Sequence, residues 1–182
     1  MAKRDRRSDE VETNTAKKII VKGVVAGLVA GIIATGVKTV WEKGFPVREQ
    51  STDSPPLILA NRALQAAGEG NLSEGRKPPV ESVIHWTFGI LVCVAYGVLA
   101  EKYPPARAGY GLLFGVALYS VTHATVLPAL DTEPWFFDNK PAFALSEFTG
   151  HLAYGVAAET TRRFVSKRLP VSTGSGSDRV KA

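Results

Sequence analysis

Residues 82–100 carry no formal charge when His85 is neutral, and residues 23–37 and 108–127 are built the same way. Uncharged apolar stretches of about 17–25 residues match a hydrocarbon layer ~30 Å thick. A chain crossing that layer must satisfy every backbone N–H and C=O internally, which selects helices. The expected fold is therefore all-α: an integral membrane four-helix bundle in a single domain. The mean hydropathy of +0.03 would suit a soluble protein. It averages over charge gathered at both ends and in one long loop.

The expected helices are residues 16–41, 82–100, 108–127 and 142–165. Lys22 and Lys38 lengthen the first by snorkelling their amines toward the headgroups. Pro104–Pro105 stop the second and Pro128 ends the third. The fourth is the least apolar, because it carries Glu147 and Glu159. Residues 1–15 read as a charged disordered cytoplasmic arm and 169–182 as a flexible cytoplasmic tail, flanking a membrane domain over 16–168. The extracytoplasmic loop, 42–81, holds a short amphipathic stretch at 57–64. That stretch suits either a helix lying on the membrane surface or one covering the bundle.

Most of the 22 Lys and Arg residues fall in the N-terminal arm, the 102–107 turn and the C-terminal end. The positive-inside rule then places both termini in the cytoplasm. Trp41, Trp86 and Trp135 fall at the opposite interface, as an aromatic belt requires. The net charge of +5 flanks apolar helices, which points to the lipid bilayer as partner and not to nucleic acid. With one cysteine, Cys93, there is neither an internal disulfide nor a cysteine metal cluster. Cys93 reads as a small packing residue. No signal peptide is apparent.

Small residues recur at spacings of four: Gly23, Gly27, Gly31 and Thr35, then Gly89, Cys93 and Gly97, then Gly111 and Gly115, then Ser146 and Gly150, followed by Gly155. Such faces let helix backbones approach closely in lipid. They hold this bundle together or pair it with another copy, a homo-oligomer. There is also an echo. AYGVLAE closes the second helix and AYGVAAE lies in the fourth, while GLVAGI in the first resembles GLLFGV in the third. Two duplicated hairpins, or convergent use of Gly and Ala, would each produce it.

All three histidines, His85, His123 and His151, fall in or beside apolar segments. Counting ~1.5 Å per residue from the outer boundary places His85 at ~5 Å, His123 at ~7 Å, Glu147 at ~8 Å and His151 at ~14 Å. Glu147 and His151 share a helical face at i, i+4. Lys38 reaches the same depth as a counter-ion. Tyr96, Tyr119 and Tyr154 would extend a polar path inward. Ionisable groups inside a membrane are costly and mark sites. Imidazole changes charge under mild acidification, so the cluster suits a pH-responsive site passing a proton or cation. Three imidazoles and a carboxylate also suit Zn or haem, leaving the metal unknown. Alternatively the histidines only hydrogen-bond neighbouring helices, and the chain is a structural or interaction subunit that docks through its glycine faces. There is no HExxH, GxSxG or phosphate-binding GxxxxGK[ST], and the chain is expected not to be an enzyme.

SPPLILANRAL, AYGVLAEKYP and above all SEFTGHLAYG followed by ETTRR resemble the YagU family of small bacterial inner-membrane proteins. The likeness covers residues 20–168, with the first long loop matching loosely. In that family a histidine opens the second helix, another lies late in the third, and a Ser-Glu-x-x-Gly-His element sits in the fourth. Those positions match His85, His123, Ser146, Glu147, Gly150 and His151. The resemblance implies a protein of the bacterial inner membrane with four helices, and supplies no catalytic mechanism. The pH-responsive reading of the polar cluster suggests a multi-pass protein that helps the cell tolerate acid, with no cofactor expected.

Overall fold

The computed structural model describes residues 2–46 and 53–169, the side chains of 2–12 aside. Within these residues every regular element is helical. The order is α1 (Ala2–Gly44), α2 (Pro55–Ala66), α3 (Lys77–Lys102), α4 (Leu112–Val121) and α5 (Pro141–Ser166). A π turn, Thr122–Val126, and a last short turn, Leu127–Ala129, prolong α4.

Three stretches are long and apolar enough to cross a membrane: Thr13–Gly44, Glu74–Lys102 and Pro104–Ala129. The fourth helix, α5, is not among them. Its inward face carries Glu147, His151, Glu159 and Arg162 alongside Phe143, Tyr154 and Ala158. That helix is 26 residues long and packs along α1 and α4.

Helix ends follow local chemistry, and several differ from the sequence expectation. α1 begins at Ala2, well before residue 16. No Gly or Pro occurs before Gly23, and the Ala, Lys, Arg and Glu residues ahead of it favour helix. α2 and α3 each open on a proline pair in the first turn, where the missing N–H is not needed. α3 therefore starts at Lys77 and not at 82. It closes at Tyr103, extended as a residue before proline must be (φ −125, ψ 97). α4 starts from Gly111 in the left-handed region (φ 90), a conformation glycine adopts without steric cost.

The third helix ends at Ala129, beside Pro128 as expected, but its last turns are irregular. The chain widens to a π turn and continues to Ala129. Proline lacks the N–H of an i→i−4 bond and crowds the preceding turn, and the wider turn absorbs both. Thr122 Oγ1 donates to the Leu118 carbonyl at 2.7 Å and Thr125 Oγ1 to the Ser120 carbonyl at 2.9 Å. The described residues reach Leu169; the tail expected over 170–182 lies outside them.

Small residues set the spacing of the helices. A methyl group at Gly97 would overlap the Gly23 carbonyl, and one at Gly27 would meet Val94 Cα at 2.7 Å. Gly31 faces Ile90 of α3, and Gly89 faces Thr35 of α1. On the other pair, Gly111 and Gly115 lie against the α5 backbone at Gly155 and His151. Gly150 lies against Lys38 and Trp41 of α1. The glycine faces read from the sequence are thus occupied inside the chain. A second row on α1, Ala26, Ala30 and Ala34, is wholly buried. The two AYG segments make parallel contacts, Gly97 on α1 and Gly155 on α4.

Two ends result. At the terminal end Lys22, Glu101, Glu159 and Arg162 meet. At the distal end lie Lys38, His85, His123 and Glu147. There α2 is tied down by Arg62, which donates to the Leu130 and Asp131 carbonyls. Leu57 is buried beneath it, so α2 covers the bundle.

Candidate functional site

Lys38 projects from the last turns of α1, and Glu147 from the first turns of α5. Lys38 Nζ donates to Glu147 Oε2 at 2.8 Å and to Glu42 Oε1 at 2.6 Å. Lys38, Glu147 and His151 are all buried, at 5, 8 and 7 % exposure. The Glu42 contact uses i, i+4 spacing on α1. Buried charges persist only when paired, and this ammonium has a carboxylate on each side.

His123 lies in the π turn that prolongs α4. Its Nε2 is 3.4 Å from Glu147 Oε2. Its Nδ1 is 2.9 and 3.0 Å from the two oxygens of Glu133. Asn139 Nδ2 donates to Glu133 at 3.1 Å and holds that carboxylate in place. Both imidazole nitrogens therefore face carboxylates. A neutral ring can donate from one nitrogen only; the imidazolium donates from both.

His151 differs. Its Nδ1–H donates to the Glu147 carbonyl at 2.7 Å, the i−4 acceptor on its own helix. Nε2 is left as the free lone pair. The His123 and His151 rings are 5.0 Å apart, with Tyr119 against both. Residue counting separated these two histidines by several ångströms in depth, yet the rings meet. Side chains lean toward the N-terminus of their own helix. On antiparallel α4 and α5 the two rings lean toward each other.

His123, Glu147 and His151 offer one ligand atom each within 4.8 Å of one another, a spacing a metal ion could draw together. Lys38 Nζ already pairs with Glu147 Oε2, so a metal ion would share that carboxylate with an ammonium. His85, the remaining sequence candidate, is not part of this trio. Its Nε2 is 4.0 Å from Glu42 Oε2 and has no hydrogen-bond partner among the described residues. Tyr154 bonds Cys93 Sγ at 3.1 Å and the Gly89 carbonyl, beside the site. Tyr96 is not on this path; it donates to Glu159 at 2.8 Å.

A cavity of about 490 Å³ opens onto the cluster. Lys38, Glu42, Glu147 and His123 line it together with the apolar Phe45, Leu59, Phe88 and Leu130.

Two features escaped sequence reasoning. Glu133 belongs to an acidic loop whose return over α4 only the fold reveals. The second is the terminal cluster. Glu159, 0 % exposed, accepts from Arg162 at 2.7 and 2.9 Å, from Arg163 at 2.6 Å and from Tyr96. Arg162 also pairs with Glu101, which accepts from Ser166 at 2.6 Å. The signal was the matching Glu at the end of AYGVLAE and AYGVAAE. Among the described residues this ionic knot closes the terminal end, while the cavity lies at the other.

Comparison with known proteins adds identity. The sequence model of the family described as "Protein of unknown function (DUF1440)" matches residues 32–160, more than half of the chain. The chain is also similar to "Inner membrane protein YagU" of Escherichia coli (strain K12), 32 % identical over 87 residues. That match covers 48 % of this chain and 43 % of the relative, so the chain spans less than half the length of that curated relative. No solved structure matches.

Proposed function

The chain belongs to the YagU-like DUF1440 family, and from that premise we propose that it is a non-enzymatic, multi-pass inner-membrane protein that takes up and releases a proton at a buried His–Glu–Lys site. Both termini lie in the cytoplasm in this reading, and α5 crosses the membrane as the fourth span. The positive-inside distribution supports the orientation. The three spans of apolar composition and the inner-membrane location in the name of the Escherichia coli relative support the compartment.

One observation carries the proposal: His123 stands between the carboxylates of Glu133 and Glu147, with Lys38 behind Glu147. Imidazole gains and loses its proton in the mildly acidic range. Protonation here places a cation between two anions in a site that excludes most water. The row Glu42–Lys38–Glu147–His123–Glu133 can then change charge without a change of fold. Such a device would let a cell sense external acid or pass a proton or cation, in keeping with a role in acid tolerance.

The test is proton movement in liposomes containing an internal pH dye and the purified full chain. The wild type should speed the collapse of an imposed pH gradient. Glu147→Gln and His123→Ala should remove the effect and remain folded. Equal rates in wild type and both variants would reject the reading. Metal binding is the second reading, favoured by the trio's spacing. Elemental analysis before and after His151→Ala decides it.

A further inference from the structure

We propose that the loop joining α4 to α5, residues 130–140, inserts an aromatic tip at Phe136 and Phe137 into the lipid leaflet at the distal end, and that this anchorage seats Glu133 against His123. It rests on the membrane placement proposed above and on no movement of protons.

The loop is held at its base. Glu133 meets His123 Nδ1 at 2.9 Å, and Asn139 Nδ2 donates to the same carboxylate at 3.1 Å. Thr132 is buried, and its N–H and hydroxyl both donate to the Leu127 carbonyl, at 3.0 and 2.9 Å. Between these ties the Asp138 N–H donates to the Trp135 carbonyl at 2.8 Å and closes a β-turn. Phe136 and Phe137 stand at its two corners, where Gly, Pro, Asn, Asp and Ser are usual. Their rings meet edge to face with centroids 5.2 Å apart. Trp135, Phe136 and Phe137 are nevertheless 53, 45 and 93 % exposed. Three consecutive exposed aromatic residues on a hydrogen-bonded turn are unfavourable in water and mark a surface that meets something apolar.

Position selects lipid as the partner. The apolar stretch Pro104–Ala129 ends immediately before the loop. The loop's base lies at His123, which residue counting puts ~7 Å inside the boundary. From Glu133 or Asn139 the chain reaches at most ~10 Å to Phe136. The tip therefore stays at the headgroup layer or below it, the depth at which aromatic rings settle. Asp131 and Asp138 are exposed on either side of the tip. Their carboxylates belong among the headgroups and keep the insertion shallow. A tip that left the leaflet would pull on Glu133, because one short tied loop carries both. Lipid contact thus positions a member of the buried row.

The experiment uses the full chain in nanodiscs of phosphatidylcholine and phosphatidylethanolamine, with fluorine-labelled tryptophan. The Trp135 resonance is assigned by Trp135→Phe. A lipid carrying a nitroxide near the top of its acyl chain should broaden that resonance more than a water-soluble gadolinium chelate does. Equal or greater broadening by the chelate would place the tip in water and overturn the proposal. Broadening by neither would mean that protein covers the tip, such as a second copy, and would overturn it too. The seating of Glu133 is read from the nitrogen-15 resonances of His123. Phe136→Ser/Phe137→Ser should shift them in the direction that Glu133→Ala does, with helix content unchanged, and Phe136→Leu/Phe137→Leu should leave them as in the wild type. Resonances that stay in place in the serine variant, or move equally in the leucine variant, overturn the proposal. A chain that meets these expectations but moves no protons in liposomes fails the proton reading and leaves this one standing.

Discussion

Lys38 is the residue on which the distal site depends most. Its ammonium balances Glu42 and Glu147 in a buried setting. Removing one partner of a buried pair strands the other charge and costs about 3–5 kcal/mol. Lys38→Met should therefore lower stability by about that much, measured by denaturant unfolding in detergent. The double variant Lys38→Met/Glu147→Gln should be less destabilised than the sum of the singles, since the buried Glu147 charge is no longer stranded. Additive losses would show that the two side chains do not act as a pair. At this scale the sequence was a good guide where helical depth sufficed. Lys38 and Glu147 were placed together from residue counts, whereas His123 and His151 were set at different depths. Glu133 was not legible, because a loop residue has no periodicity to fix its position. The separation of His85 from the trio was hidden for a related reason: depth says nothing about which way round a helix a side chain points.

At the scale of elements, close approach and one irregular turn position the site. Gly97 and Gly155 allow α1–α3 and α4–α5 to meet backbone to backbone. A larger side chain at either forces the pair apart. Gly97→Leu and Gly155→Leu should each cost several kcal/mol, of the size seen for overpacked cores or more, and should lower the thermal midpoint measured by circular dichroism. Gly44→Leu, with open space around it, should not. The glycine spacing announced these contacts plainly. It left open whether they lie within one chain, which the helix order settles. The π turn is the element the sequence did not announce, since Pro128 marks only the helix end that follows it. Pro128→Ala should let α4 relax toward regular α-helix and turn His123 away from Glu147. The fold should remain while proton movement in liposomes falls. Unchanged proton movement would mean that the π turn does not aim His123.

For the whole molecule, the two ends differ in kind. The terminal end is knotted by Glu101, Glu159, Arg162 and Arg163. The distal end holds the cavity and is covered by α2. Trp41 and Trp86 mark the distal ends of α1 and α3, and Trp41 Nε1 donates to the Ser146 carbonyl at 3.2 Å. The proposed topology can be read directly by labelling. A cysteine at Asn71 should react with an impermeant maleimide added outside intact cells. A cysteine at Lys167 should react only after the inner membrane is opened; the reverse pattern would invert the orientation. Overall architecture was legible because hydrocarbon thickness fixes helix length. The role of α5 was less so: its buried Glu159 and Arg162 lower its hydropathy while they bind the bundle together.

The central claim is that His123 binds a proton between Glu133 and Glu147. With only three histidines in the chain, imidazole nitrogen resonances can be assigned by single substitution. The decisive measurement is nitrogen-15 NMR of histidine-labelled protein in nanodiscs between about pH 5 and 8. The account predicts that His123 becomes doubly protonated as the pH falls, that His151 carries its proton on Nδ1, and that Glu147→Gln alters the His123 transition but not that of His85. A His123 ring that stays singly protonated throughout, or titrates identically in Glu147→Gln, would contradict it.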